Sequence, residues 1–137
     1  MCRRKVVLAI GAFDLLHLGH VRFLEQARLL GDALIVSCDT DANLARRKPG
    51  RPIVSLADRQ RMLRALRCVD CVLAHDAETE ALLVRGIAPD VLAKSEEYRG
   101  TEIPGAEYAG RVVFLPRLAG WSTTELLSRP GVDYACD

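Results

Sequence analysis

The chain has 137 residues and a mass of 15.1 kDa; half of its residues are hydrophobic and 27% are charged, which suits one globular domain with its own core. Lys and Arg total 19 against 18 Asp and Glu, a formal charge of +1, and this excludes a general binder of nucleic acid or membrane surfaces, because both rely on excess cationic charge. No apolar run approaches the roughly 20 residues of a membrane span, and the basic start Met1-Cys2-Arg3-Arg4-Lys5 leads into a run too short for a signal peptide.

Residues 6–10 form a continuous apolar run closed by Gly11, which reads as a strand. Residues 18–30 set Phe23, Ala27 and Leu30 on one face with Leu24 beside them and stop at Gly31, the pattern of a helix. A second apolar run over 33–38 precedes Asp39-Thr40-Asp41, a cap for a short helix over 41–46. Residues 46–54 read Arg-Arg-Lys-Pro-Gly-Arg-Pro-Ile-Val, a basic loop punctuated by two prolines and a glycine. Ser55-x-x-Asp58 opens a helix that runs to Arg67, with Met62, Leu63, Leu66 and Val69 inward and Arg59, Arg61, Arg64 and Arg67 largely elsewhere.

Cys68-x-x-Cys71 has redox or zinc spacing but no second pair, so it reads as two small buried residues. Five cysteines, an odd number, suit a reducing compartment and predict a cytoplasmic protein; Cys136 is expected to be exposed. Residues 71–74 form a third strand, 76–85 a helix with Leu82 and Leu83 inward and Gly86 just past its end, and 91–93 a fourth strand after Pro89-Asp90. Residues 95–110 are a polar loop with one short helix, and 112–115 a fifth strand. Ser122-Thr123-Thr124-Glu125 opens a last short helix; the domain is expected over 1–129, with 130–137 a loose tail.

Short buried runs separated by helices describe a parallel sheet covered on both faces. In such sheets ligands sit beyond the carboxyl ends of the strands, near the point where strand order reverses. The segments 11–20, 39–51, 94–98 and 117–124 are therefore expected to meet at one rim.

The most informative of these is Gly11-Ala12-Phe13-Asp14-Leu15-Leu16-His17-Leu18-Gly19-His20. Two histidines three apart at a helix start point the same way, the free N–H groups of that helix start suit phosphate, and Gly19 admits a close approach. The stretch matches GxFDxxHxGH and resembles the hallmark motif of the nucleotidyltransferase superfamily that includes the cytidylyltransferases. Arg117-Leu118-Ala119-Gly120-Trp121-Ser122-Thr123-Thr124 resembles that superfamily's second motif, GxSTT, with its preceding arginine. The expected architecture is a three-layer, Rossmann-like, doubly wound α/β fold with a five-stranded parallel sheet in the order 3-2-1-4-5.

The middle of the chain narrows the resemblance. Arg46-Arg47-Lys48 and Arg51-Pro52-Ile53-Val54, with Arg59 on the next helix, are similar to bacterial heptose 1-phosphate adenylyltransferases, as are Pro89-Asp90-Val91-Leu92-Ala93-Lys94, Tyr98 and Glu102-Ile103-Pro104-Gly105. In that family the domain is either the C-terminal half of a kinase fusion or a separate chain, and the separate form is expected here. Lys94-Ser95-Glu96-Glu97-Tyr98 stands where the family often has Lys-Gly-Gly-Asp-Tyr, and the basic loop is about two residues shorter, so nucleotide and acceptor stay open.

The resemblance implies transfer of a nucleoside monophosphate, AMP favoured, from a nucleoside triphosphate to a sugar 1-phosphate, with Mg²⁺ bridging phosphate oxygens. It makes His17, His20 and Lys48 the catalytic candidates and assigns the nucleotide to Gly11, Ala12, Phe13, Asp14, Gly19, Lys94, Arg117, Ser122, Thr123 and Thr124. Asp41, Arg46, Arg51 and Arg59 are the candidates for substrate phosphate, with Arg46 preferred to Arg47. Asp14 is read as a ligand of the magnesium or its water, an orienter of a histidine, or a turn-forming residue; His75 matches no motif. The alternatives are a CTP-dependent cytidylyltransferase acting on glycerol 3-phosphate or another small alcohol phosphate or phosphonate, and a nucleotide-binding regulatory module. A homodimer is expected, with no nucleic-acid or membrane partner.

Overall fold

Alternation of side chains across a strand decides the architecture. In the computed structural model, which describes residues 3–129, the first strand β1 (Val6–Gly11) sends Val7 and Ala9 to one face and Leu8 and Ile10 to the other, all of them buried. A strand apolar on both faces needs a layer on each. The elements follow as α1 (Leu18–Arg28), β2 (Ala33–Asp39), α2 (Asp41–Arg47), α3 (Leu56–Arg64), β3 (Cys71–His75), α4 (Glu80–Ile87), β4 (Val91–Ser95), β5 (Arg111–Leu115) and α5 (Thr123–Ser128). The five strands are parallel in the order β3-β2-β1-β4-β5, the doubly wound α/β fold expected from the sequence. Strand order reverses between β1 and β4, and the site opens beyond their carboxyl ends.

One core lies under α1 and α3, where Leu24, Ala27 and Leu63 meet Val7, Ala9, Val36 and Val72; the other lies under α4, where Val84 meets Leu8, Ile10 and Leu92. Each fully buried leucine contributes about 2 kcal/mol. At the amino ends of the strands three aspartates fix the register. Asp32, Asp70 and Asp90 each precede a strand, and their carboxylates accept N–H bonds from Lys5 (2.7 Å), Leu34 (2.8 Å) and Val6 (2.8 Å) on the neighbouring chain segment. Among the described residues no helix is long and apolar enough to cross a membrane.

Several local expectations change. α4 begins at Glu80 and not at 76, because the Asp76 carboxylate accepts from Glu78 N–H and Thr79 N–H and holds a turn ahead of the helix. The shifted start turns Val84 inward and leaves Leu82 60% exposed. Gly86 lies inside α4, and the helix ends at Ala88 in a left-handed conformation. Cys71 is exposed, since it opens the edge strand β3, and Cys68 is half-buried. The loop 95–110 carries two 3-10 turns, Glu96–Tyr98 and Ala106–Tyr108. Cys136 and the expected tail at 130–137 lie outside the described residues.

The largest correction is Arg59, which is 1% exposed. It takes the inward position on α3 one turn before Leu63, and Met62 is pushed outward. Its guanidinium donates to the carbonyls of Val54 (2.9 Å), Ala12 (2.8 Å) and Asp39 (2.9 Å) and pairs with the Asp41 carboxylate at 2.7 Å. The arginine ties the ends of β1 and β2 to α3, and Asp41 completes its partners while also accepting from Leu56 N–H, so the structure gives both a structural role where the sequence suggested substrate phosphate. Arg59→Met leaves those carbonyls without a donor, so we expect a loss of about 3 kcal/mol or more, read as a lower urea midpoint at unchanged slope; a loss below about 1 kcal/mol would remove this role.

Candidate active site

The turn after β1 is held in an unfavourable backbone. Phe13 and Leu15 have φ of 53° and 52°, left-handed values that cost roughly 1–2 kcal/mol each for residues with a Cβ. The residue between them fixes the turn. Asp14 is 3% exposed; its Oδ2 accepts from Ile53 N–H at 2.8 Å and its Oδ1 from Val54 N–H at 2.9 Å, with the Arg51 guanidinium 3.8 Å away. Its carbonyl accepts from the Thr123 hydroxyl at 2.6 Å. One residue thus joins the first motif, the basic loop and α5.

The first motif continues into α1, where His17 is the N-cap. The His20 N–H donates to His17 Nδ1 at 3.4 Å, and the His17 N–H donates to His20 Nδ1 at 3.3 Å, a capping box built from two imidazoles. The rings stack with centroids 3.8 Å apart. Since each Nδ1 accepts, each neutral ring carries its proton on Nε2. His17 Nε2 is buried and has no partner among the described residues, an orphan donor of the kind that a ligand acceptor satisfies. A Cβ on Gly19 would lie 2.8 Å from the His17 ring and 3.1 Å from Trp121 Cβ, so glycine is what lets helix, ring and tryptophan meet.

A cavity of about 290 Å³ opens at the carboxyl rim. Of the sequence candidates, Gly11, Ala12, Phe13, Asp14, His17, Gly19, His20, Lys48, Arg51, Arg117, Ser122, Thr123 and Thr124 line it. The two motifs at opposite ends of the chain face the same hollow. Arg46, Lys94, Asp41 and Arg59 do not line it. Arg47 lines it instead of Arg46, because the helical turn of α2 directs Arg47 toward the Asp39 carboxylate, 3.1 Å away. Lys94 is buried and pairs with Glu80 at 3.0 Å, in a neighbouring hollow. The sequence reading also missed Trp121, whose ring centroid is 6.1 Å from that of His17; its place inside the second motif was the available signal.

The hydroxyls divide their work. Ser122 Oγ caps α5 by accepting from Glu125 N–H at 3.0 Å and keeps its own O–H for a ligand. Thr123 gives its proton to Asp14 and has none left for phosphate. Thr124 Oγ1 accepts from Arg51 at 3.4 Å. Four cations, Arg47, Lys48, Arg51 and Arg117, face the cavity against the carboxylates of Asp14 and Glu97, and Arg117 contacts Glu97 at 3.5 Å. This local excess of positive charge draws a polyanion into a chain of nearly zero net charge.

The imidazoles stay neutral in that field. Burial, the neighbouring His17 and the Lys48 ammonium push His20 down to about 3. Burial and then the Arg117 charge lower His17, against a smaller opposing effect of Glu125. Both rings therefore act as neutral N–H donors. Each Asp14 oxygen accepts one backbone N–H bond, and the described residues contain no group of three or more His, Cys, Asp or Glu able to hold a metal, so a cation here would take most of its ligands from the nucleotide and water. Of the readings of Asp14, the one the geometry displays is that of a turn-forming anchor, through its bonds with Ile53, Val54 and Thr123.

A family model described as cytidylyltransferase-like matches residues 8–113. The chain is 49% identical over 129 residues to the bifunctional protein HldE of Streptomyces coelicolor, covering 90% of this chain and 28% of that protein. It is 42% identical over 130 residues to the bifunctional protein HldE of Magnetococcus marinus, covering 91% of this chain and 27% of the relative. The lipopolysaccharide core biosynthesis protein from Thermoplasma volcanium GSS1 superposes with a TM-score of 0.68 at 25% identity, over 88% of this chain and all of the other.

The lowered histidine has a measurable signature. Unfolded, His20 titrates near 6.5; folded, it does so near 3. Between those values the unfolded chain binds a proton that the native chain does not, so stability rises with pH across the window and is lost on acidification. From about pH 7 to about pH 5 the protein is expected to lose about 2 kcal/mol more than His20→Gln, which keeps an N3 side chain able to complete the capping box. Equal losses in urea titrations of the two proteins would return His20 to the ordinary range.

Proposed function

The chain belongs to the cytidylyltransferase-like family, and on that premise we propose that it transfers a nucleotidyl group, AMP foremost, from a nucleoside triphosphate to a sugar 1-phosphate, heptose 1-phosphate being the favoured acceptor. The observation that carries the reading is the imidazole capping box. It spends both Nδ1 atoms on the helix start and leaves the His17 Nε2–H buried and unpaired at a cation-lined hollow.

An acceptor phosphate oxygen attacks the α-phosphorus and forms the new P–O bond. The bond from the α-phosphorus to the bridging oxygen breaks, and pyrophosphate leaves with that electron pair. No protein nucleophile takes part, so positioning and charge stabilisation supply the catalysis. His17 and His20 donate Nε2–H to phosphate oxygens as charge shifts toward the leaving group. Lys48, Arg51 and Arg117 neutralise the β and γ phosphates, and the Ser122 and Thr124 hydroxyls donate beside them. Trp121, Leu118 and Pro116 give the base an apolar wall. Magnesium bound with the triphosphate would be held mainly by the nucleotide and water and would supply further charge neutralisation.

The sugar 1-phosphate follows from the likeness of the segments at 46–59 and 89–105 to heptose 1-phosphate adenylyltransferases, and it agrees with the similarity to the HldE proteins and to a lipopolysaccharide core biosynthesis protein. The chain corresponds to about a quarter of each HldE relative, so the assignment concerns this domain's chemistry alone.

Pyrophosphate release is to be measured with ATP, CTP, GTP and UTP, each against heptose 1-phosphate, other sugar 1-phosphates and glycerol 3-phosphate. ATP with heptose 1-phosphate is expected to give the highest kcat/KM. CTP with glycerol 3-phosphate as the best pair would move the chain to the cytidylyltransferase alternative, and binding without release by any pair would leave a regulatory module. In the active pair, His17→Asn and His20→Gln keep side chains that can serve the capping box but lack the Nε2–H donor. Each is expected to lower kcat by about 10²-fold with little change in the thermal midpoint. Turnover within threefold of the parent would remove the imidazoles from the mechanism.

A further inference from the structure

A second cavity, of about 180 Å³, adjoins the first. The two share Ile10, Gly11, Arg47 and Tyr98 as a common wall. None of the proposed triphosphate contacts lines this second space. Its polar lining is Asp39, His75, Glu80, Lys94 and Glu102, brought from the ends of β2, β3 and β4, the start of α4 and the loop after Tyr98.

The chemistry of that lining selects its occupant. Asp39, Glu80 and Glu102 face two cations, Arg47 and Lys94, and Lys94 is already paired with Glu80. A polyphosphate would meet an excess of carboxylate here. Ile10, Tyr98, Ile103 and Pro104 give the space an apolar side as well, against which the carbon atoms of a polyol can lie. Hydroxyl groups fit: each donates to a carboxylate and accepts from an ammonium or imidazole.

Asp39 is the fixed element. It is nearly fully buried, and its Oδ1 accepts from Asn43 Nδ2 at 2.6 Å and lies 3.2 Å from His75 Nε2, while its Oδ2 lies 3.1 Å from Arg47. Of about four lone-pair directions on a carboxylate, three are engaged and one remains for a ligand. Arg47 stands at the shared wall, so the same carboxylate orients the one cation among the described residues that faces both spaces.

An in-line displacement needs the acceptor opposite the leaving pyrophosphate, and so needs a compartment beside the triphosphate site. We propose that the second cavity seats the hydroxyl-bearing carbon skeleton of the phosphate acceptor, with Asp39 and Glu102 accepting its hydroxyl protons and Arg47 turning its phosphate toward the α-phosphorus. This placement rests on the transferase reading above. It makes Asp39, Glu102 and Arg47 specificity determinants for a polyol phosphate, with Asn43 and His75 as positioning residues behind Asp39.

The test separates the acceptor from the nucleotide. Asp39→Asn and Glu102→Gln are to be assayed for pyrophosphate release with ATP and heptose 1-phosphate, or with the best acceptor in the panel above. ATP binding is followed in parallel by the fluorescence of Trp121, the chain's single tryptophan. In either folded variant the KM for the acceptor is expected to rise about tenfold, the scale of one hydrogen bond to a charged group, while the KM for ATP and the ATP titration stay within twofold. Glu102 is exposed on a loop, so its variant keeps the test open if Asp39→Asn does not fold. An acceptor KM within twofold of the parent in both variants would overturn the placement, as would a KM for ATP rising in step with it. A parent protein that turns over no acceptor would instead sink the transferase reading, and this inference with it.

Discussion

The Asp14 carboxylate is the constraint on which the site depends. Three segments far apart in the chain, at 11–20, 51–54 and 122–124, must be held within reach of one polyanion. Asp14 supplies the junction by accepting two backbone N–H bonds from the basic loop and, through its carbonyl, the hydroxyl of Thr123. The left-handed conformations of Phe13 and Leu15 on either side are the local cost of aiming that carboxylate at the loop. Arg59 reinforces the junction from below, since it donates to the carbonyls of both Ala12 and Val54. The cations are thus positioned before any ligand arrives, which spares the ordering penalty that a mobile basic loop would incur on binding.

The same economy governs the histidines. A helix start leaves donors unsatisfied, and an ordinary Ser or Asp cap would satisfy them. Using two imidazoles for that task fixes both tautomers, because an Nδ1 that accepts leaves the proton on Nε2. Burial, and after it the stacked neighbour and the nearby cations, then favours the neutral form. A neutral donor stabilises growing negative charge without binding the ground-state triphosphate as tightly as a full cation would, and stabilisation that appears only in the transition state is what raises kcat.

What was legible in the sequence follows from the range of the interactions involved. The strands were read from continuous apolar runs, and the pairing of both motifs at one rim followed from the parallel sheet. Errors arose where a long-range partner overruled a local pattern. Arg59 has the charge of a surface residue, and only carbonyls from Ala12 and Asp39 make it a buried strut. Lys94 lies near the carboxyl end of β4 in a matching segment, yet Glu80 draws it into the adjoining hollow. Arg46 and Arg47 are neighbours in sequence but point about 100° apart on a helix, and the choice between them was set by Asp39, seven residues earlier for one and eight for the other. The Asp76 turn that delays α4 is local, and its Asp-x-x-Thr spacing was the missed signal.

The buried chain Ser37, His75 and Asp39 has the residue types of a nucleophilic triad and does not work as one. Ser37 Oγ lies 2.8 Å from His75 Nδ1, and Asp39 lies 3.2 Å from Nε2. All three are buried, Ser37 completely, so no substrate carbon or phosphorus reaches the hydroxyl. His75 thus bridges the two, with Nε2 toward Asp39 and Nδ1 toward the Ser37 hydroxyl, whose rotation follows the proton the ring carries. Burial alone would raise the Asp39 carboxyl, but the His75 hydrogen bond, the Arg47 charge and the Asn43 amide outweigh it and hold it below the usual range. The product of the chain is therefore a permanent, oriented negative charge at the carboxyl end of β2. That charge draws the partly exposed Arg47 guanidinium, 3.1 Å away, to the wall between the two cavities, beside the path that the nucleotidyl group takes from triphosphate to acceptor phosphate in the proposed transfer.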